Sequence, residues 1–496
     1  MVQEKVQENY SGKIMWLMLW VFVIISGVTF LSVSMPEYVW LRKLNMLSDV
    51  VKYKSEVKIP DYDSGNILPE TSVVVADSLN IAGDSLKQAP NGMVIKNVPL
   101  PPDVVPIEDY SAEKSGMGRF YYALNNINTL ERSVRILFLG DSFIEGDLFT
   151  AELRDLLQDS LGGRGVGFVN ITSPVSKFRQ TVAHEYSNWQ TYSISKPEDP
   201  PAWYKIGVCG QYSMPDEGAE LQYTMPSNRS VNLRAVNSAR IFFRNEANTK
   251  IYVSVNGGEE QEYSPSVSTA MQSLSFEPNV RNIKFRFENT EGFTAYGVLL
   301  DDKKGISVDN YALRGASGTH LTSVSSSLNK QWANYAPADL VVLEYGLNVV
   351  AEGVMDYSYY RVRMKKSIEH IKEIFPEADI MLMGMSDRSA KIDGTMQTMP
   401  EVKSMVAMQR AMAKEAGIAF WCIFDAMGGE NGMVNFVERD VPWAAKDYTH
   451  ISALGGRAIA KRFFKSIMAE SLRYQWEKES KDLVVENEEL TDSYDE

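Results

Sequence analysis

Val134-Arg135-Ile136-Leu137-Phe138-Leu139-Gly140-Asp141-Ser142 reads as an apolar strand running directly into a turn, and the sequence beyond it is helical. Phe149, Leu153, Leu156, Leu157 and Leu161 fall on one face at helical spacing. Ser142 is thereby placed at a strand-to-helix junction. In an open α/β fold that junction lies at the carboxyl end of the sheet, where ligands bind. The following helix also offers backbone N–H groups to a developing anion.

Four further apolar runs have the length and flanks of buried strands: Ile306 to Leu313, Asp339 to Tyr345, Asp379 to Met385, and Ile418 to Phe424. Helical periodicity accompanies them at Tyr359 to Phe375, Val402 to Ala416 and Ala453 to Tyr474, with another helix near Arg119 to Leu130 ahead of the first strand. This alternation predicts an α/β body with a doubly wound, parallel, five-stranded sheet, spanning 116–183 and 305–475. Between about His184 and Lys304 the rhythm breaks into short alternating segments such as Ala239 to Arg244 and Asn282 to Phe287, separated by turns like Asn256-Gly257-Gly258. An all-β sandwich inserted between the first and second strands is the expectation.

At the amino end, Ile14 to Met35 is an almost unbroken apolar run, long enough for a bilayer core of ~30 Å. It predicts a transmembrane anchor following a short cytoplasmic segment, 1–13; a cleaved signal peptide ending near Ser32-Val33-Ser34 is the alternative. Residues 36–115 are polar and proline-bearing and read as an extracytoplasmic stalk. A single-pass inner-membrane protein with its body on the periplasmic or extracytoplasmic side follows as an expectation. The formal charge of -14 argues against nucleic acid, because no basic stripe is present to neutralise phosphates. The acidic tail, 476–496, reads as solvated disorder. Cys209 and Cys422 supply neither a disulfide framework nor a metal site, and His184, His320 and His370 lack metal spacing.

Asp447 and His450 sit three residues apart just ahead of the last helix. Acyl transfer requires a nucleophile, a base, a group orienting the base and donors for the oxyanion. Ser142, His450 and Asp447 are candidates for the first three roles. Gly318, after the second strand, can present a backbone N–H, and Asn348, after the third, a side-chain amide. Taken singly, each has an ordinary reading as a turn or a helix cap. Their order along successive strand ends is what joins them.

These blocks resemble those of the SGNH (GDSL-type) hydrolases: Leu139-Gly140-Asp141-Ser142, Arg314-Gly315-Ala316-Ser317-Gly318, Gly346-Leu347-Asn348 and Asp447-Tyr448-Thr449-His450. The resemblance implies Ser142, Asp447 and His450 as the triad and Ser142, Gly318 and Asn348 as the oxyanion hole, with no metal or organic cofactor. The inserted β-sandwich further resembles the arrangement in bacterial peptidoglycan and carbohydrate O-acetylesterases, whose insert is like a carbohydrate-binding module. The expected function is therefore a membrane-anchored serine esterase acting on an acetylated glycan. A glycan O-acyltransferase using the same triad and a non-catalytic glycan-binding protein are the alternatives. Phe143 departs from the pattern, since many relatives carry histidine after the nucleophile. No sequence feature identifies a protein partner.

Overall fold

The computed structural model describes residues 100–195 and 202–492, together with two short antiparallel strands, Leu86–Gln88 and Val94–Lys96. The expected anchor, Ile14 to Met35, and most of the expected stalk lie outside the described residues. Among the described residues no helix is long and apolar enough to cross a membrane.

Every residue of the strand Val134–Gly140 is buried, and its side chains divide by alternation between two cores. Ile136 and Phe138 join Phe120, Leu153, Leu157, Ile459 and Phe463 on one face. Leu137 and Leu139 join Leu328, Trp332, Met364, Ile368 and Met405 on the other. Helices thus cover both faces: Gly118–Asn125, Thr150–Leu161 and Ala453–Asp492 on the first, Ser326–Tyr335, Ser358–Ile374 and Pro400–Ala416 on the second.

The sheet runs Ile306–Ala312, Val134–Gly140, Leu340–Glu344, Asp379–Gly384, Ala419–Cys422, all parallel. In chain order this is 2-1-3-4-5, so the order reverses beside Val134–Gly140, which is where a doubly wound sheet opens a crevice. The five strands match the reading of the sequence. A sixth, Glu108–Asp109, adds antiparallel to Ala419–Phe420 at the edge. Two residues leave too short a pattern to detect, and they fall at the end of the expected stalk. That segment is built into the body: Val105 O accepts from Ser466 Oγ at 2.6 Å, and Asp103 pairs with Lys465. The expectation of a disordered acidic tail is also corrected. The last helix continues to Asp492, in keeping with the strong helix propensity of Glu, Lys and Leu.

The insert is hydrogen-bonded as one nine-stranded sheet rather than two separate ones. Gln211–Thr224 pairs along its length with Ala183–Ser193, while across its other edge it meets Asn282–Glu288 and, at Ser213 alone, Ala295 of Phe293–Asp301. The sheet's two halves, joined at that single pair, pack on a shared apolar cluster, with Leu221, Val253 and Phe285 from one half against Ile241, Phe243 and Val298 from the other. Gly165–Val169 pairs with Phe293–Asp301, so this sheet recruits a strand well ahead of His184. Nor is the insert a detachable wing. Phe168, Phe242 and Tyr296 belong to the same core as Leu139 and Leu343, and Phe168 stacks on Tyr311 at 4.1 Å.

Two buried charge clusters fasten the sheets together. Arg135 Nη2 donates to Asp301 at 2.5 Å and Nη1 to Asp309 at 2.6 Å, with all three side chains essentially inaccessible. Asp147 accepts from Arg154, from Asn310 Nδ2 at 2.9 Å, and from Arg179 and Thr181 on the approach to the insert. Arg135→Met would leave Asp309 without a countercharge, and the expected loss is about 3–5 kcal/mol of unfolding free energy, measured by urea denaturation. Unchanged stability would show that these carboxylates do not depend on Arg135.

Candidate active site

Ser142 follows Val134–Gly140 at the point where the strand order reverses. Its turn is held from below by Asp141, which is fully buried. Asp141 Oδ1 accepts from Phe143 N at 2.9 Å, Oδ2 accepts from Asn348 Nδ2 at 2.8 Å, and Asp141 N donates to Glu344 Oε2 at 3.3 Å. One carboxylate therefore fixes both the nucleophile turn and the Asn block. Sequence reading gave Asp141 no role beyond its place in the motif. Phe143 points into the apolar core beside Phe149, so its departure from histidine alters packing rather than the cleft.

Burial pushes Asp141 up to about 6, against the pull of the Phe143 N–H, the His450 charge and the Asn348 amide. Burial, reinforced by the charge of Asp141, pushes Glu344 well above the usual carboxylate range. The favoured state has one ionised carboxylate, on Asp141, over a neutral Glu344.

Gly318 ends the Gly block in a left-handed conformation, φ 83°. A Cβ there would lie 2.6 Å from Tyr345 Cδ2 and 2.7 Å from Met364 Sδ, so both backbone and space require glycine. Among the described residues, neither the Ser142 nor the Gly318 N–H meets an acceptor, and both remain available as oxyanion donors. Asn348 differs. Its amide donates to Asp141 Oδ2 and, at 3.0 Å, to Ala316 O, so both amide hydrogens are committed in this resting state.

Asp447 and His450 occupy a tight loop closed by the bridge between Ala444 and Ile451. Asp447 Oδ1 accepts from the N–H groups of Thr449 and His450, each at 3.0 Å, and Oδ2 lies 2.7 Å from His450 Nδ1. Partial burial raises the Asp447 pKa, but these hydrogen bonds and the imidazole charge outweigh it and hold the carboxyl below its usual value. It stays ionised at neutral pH and sets the tautomer with Nδ1–H toward itself. Both side chains are about half exposed, at 50% and 49%.

The last helix carries this loop to the nucleophile. Gly456 packs so closely that a Cβ would sit 1.9 Å from Leu148 O, and Ile451 shares an apolar cluster with Phe143 and Ile144. The charge of His450 is felt at Asp141, adjacent to Ser142. No hydrogen bond yet joins Ser142 Oγ to the imidazole among the described residues; in unliganded sites such bonds often tighten only with substrate. The structure thus brings the predicted residues to one end of the sheet, with the Asp447–His450 and Asn348–Asp141 contacts formed and the Ser142–His450 contact open.

No group of three or more His, Cys, Asp or Glu among the described residues could hold a metal ion. Cys209 and Cys422 are buried, and burial raises both thiols to about 12, which makes them poor nucleophiles. Burial lowers His184 and His320 to about 4, so neither is charged at neutral pH.

A family model described as GDSL-like Lipase/Acylhydrolase matches residues 277–458, which include the Gly, Asn and His blocks. Over that range the chain is similar to the GDSL-like lipase/acylhydrolase family. The Ser block lies outside the matched range. A solved structure called "Peptidoglycan O-acetylesterase in action, 5 min" is similar at 23% identity with TM-score 0.61, covering 74% of this chain and 99% of that one. A family two carbohydrate esterase from Cellvibrio japonicus is similar at 9% identity with TM-score 0.25, covering 59% of this chain and 99% of that one. No curated protein matches.

Asn348→Ala is expected to lower kcat by roughly 10²–10³ with little change in KM in steady-state assays of ester hydrolysis. A rise in KM alone would make Asn348 a binding residue. Asp141→Asn separates two effects. A raised carboxyl pKa means that the folded state favours the protonated form, so its stabilising contribution is present below about 4 and lost as pH rises through about 6. Replacing the carboxyl with an amide removes this pH dependence. The Tm difference, variant minus wild type, should therefore become more positive between pH 4 and pH 8 by calorimetry. Activity should fall, because the amide replaces one of the two accepting oxygens with an NH2 group that faces the donor at Phe143 N or Asn348 Nδ2. A Tm difference independent of pH would contradict the assignment.

Proposed function

We propose that this chain is a serine esterase that removes O-acetyl groups from a glycan, foremost peptidoglycan, through an acyl-serine intermediate. The observation carrying the reading is the Asp447–His450 pair, at 2.7 Å, brought to the strand end that bears Ser142. In this reading Ser142 Oγ attacks the acetyl carbonyl while His450 Nε2 takes its proton. The imidazolium, stabilised by Asp447, then protonates the leaving sugar oxygen, and water repeats the sequence on the acyl-serine. The N–H groups of Ser142 and Gly318, joined by the Asn348 amide, receive the oxyanion.

The glycan part of the proposal is supported by the likeness to the peptidoglycan O-acetylesterase structure, which extends over too much of the chain to be the catalytic sheet alone. Location is part of the same proposal. The apolar run Ile14 to Met35 would hold the body at the outer face of the cytoplasmic membrane, beside the cell wall.

The test is acetate release from O-acetylated peptidoglycan by the full chain. Ser142→Ala and His450→Ala should each lower the rate by about 10³-fold or more with folding retained by circular dichroism. A serine-directed organophosphonate should label Ser142. Labelling elsewhere, or full activity in Ser142→Ala, would overturn the mechanism. An acetylated acceptor sugar forming in place of free acetate would identify a transferase.

A further inference from the structure

A cavity of about 370 Å³ opens between the inserted sheet and the nucleophile turn. Its inner wall includes Glu145, three residues beyond Ser142, and Leu313, whose N–H donates to Gly140 O at 2.9 Å. The cavity therefore begins within one turn of the reacting serine. Its outer wall comes from Ala183–Ser193, through Tyr186, Trp189 and Thr191, and from the loop at Thr172 and Ser173. The volume lies in the range of small-molecule sites, roughly 300–1,000 Å³.

The lining selects the chemistry of an occupant. Hydroxyls of Thr172, Ser173, Thr191, Ser193 and Ser195 line the cavity, and Thr191 Oγ1 lies 2.6 Å from Thr172 Oγ1 and 2.8 Å from the buried Ser213 Oγ behind the wall. Hydroxyls act as donors and acceptors alike, which suits a partner with the same dual character. Two rings accompany them. Trp189 is fixed by its Nε1 donation to Glu220 O at 2.9 Å and by edge contact with Phe287, whereas Tyr186 is held by donation from its OH to Ser173 O and remains 38% exposed. The charges are already matched: Glu145 pairs with Arg314, and Arg179 with Asp147. Among the described lining residues the cations are already paired, which disfavours an anionic ligand, and a long acyl chain would leave the remaining hydrogen-bonding capacity of these hydroxyls unused. A neutral polyhydroxylated ring satisfies both conditions.

We propose that this cavity seats a neutral hexosamine ring of the glycan strand, next to the residue whose acetyl group meets Ser142, with Tyr186 as its stacking platform. This rests on the glycan-esterase reading and assigns the part of the substrate that the triad does not touch. Acetyl specificity then resides at Ser142 and polymer specificity across the junction of the two sheets. The inserted sheet supplies binding energy remote from the reacting bond.

The test uses the full chain and two probes: the β-1,4 tetramer of N-acetylglucosamine, for binding by calorimetry, and 4-nitrophenyl acetate, for the chemistry alone. Tyr186→Ala and Ser195→Trp, the latter filling the cavity from its exposed rim, should weaken tetramer binding about tenfold or more. Both should keep kcat/KM for 4-nitrophenyl acetate near the wild-type value. Tyr186→Phe, which keeps the ring and loses the hydroxyl, should bind as wild type. If both disrupting variants bind the tetramer normally while the wild type releases acetate from peptidoglycan, the sugar lies elsewhere and only the cavity assignment falls. If the wild type cleaves 4-nitrophenyl acetate but neither binds the tetramer nor deacetylates peptidoglycan, the glycan reading falls with it. A preference for 4-nitrophenyl decanoate that Ser195→Trp abolishes would make the cavity an acyl site and overturn the proposal.

Discussion

A guanidinium buried in the middle of a β-sheet must find its counterions within the fold, and Arg135 finds them on two segments that the chain reaches only after the long insertion. Asp301 closes the last strand of the inserted sheet, and Asp309 lies in the next strand of the catalytic sheet. Side chains alternate along a strand, so a slip of one residue would turn Arg135 to the opposite face. The pairing consequently fixes the register that brings Gly140 level with Ala312 and sets the Ser block beside the Gly block. Such clusters are costly to desolvate, and their use here is positional. Asp147 provides the corresponding restraint on the other side of the nucleophile turn, where Arg179 and Thr181 lead into the insert.

The catalytic sheet was readable because each of its strands is an uninterrupted apolar run, and its helices expose regular 3.6-residue patterns. Val134–Gly140, Ile306–Ala312 and Pro400–Ala416 begin and end within a few residues of where their patterns do. The positions of the candidate site residues were readable for a related reason, since each follows a strand or precedes a helix. What escaped was whatever depends on distant partners. Glu108–Asp109 is a strand only because Ala419–Phe420 offers it an edge. Gly165–Val169 belongs to the inserted sheet only because Phe293–Asp301 accepts it. The burial of Asp141 over Glu344 had no signature at all, because nothing local distinguishes a carboxylate in a turn at the surface from one sealed beneath it.

The inserted sheet and the catalytic body are better described as one hydrophobic unit than as a module added to an enzyme. Trp332 lies on a helix of the body yet meets Phe242 of the insert at 4.6 Å and Phe168 at 5.6 Å. Removing the insert would expose this core face as well as one wall of the cavity beside Ser142. On the proposed glycan reading, recognition of the polymer and stability of the scaffold are coupled through the same side chains, and the two properties are not free to vary independently.

If Asn348 serves as the proposed oxyanion donor, the commitment of both its amide hydrogens gives that donor an internal rival. A substrate carbonyl in its ground state offers little more than the Ala316 carbonyl already does, so exchanging one for the other is close to neutral. The tetrahedral intermediate carries a full negative charge on that oxygen, and hydrogen bonds to an ionised acceptor are roughly twice as strong as neutral ones. The exchange thus becomes favourable only as charge develops. In the proposed mechanism Ala316 therefore acts as a threshold, withholding the side-chain donor from bound esters and releasing it to the tetrahedral species.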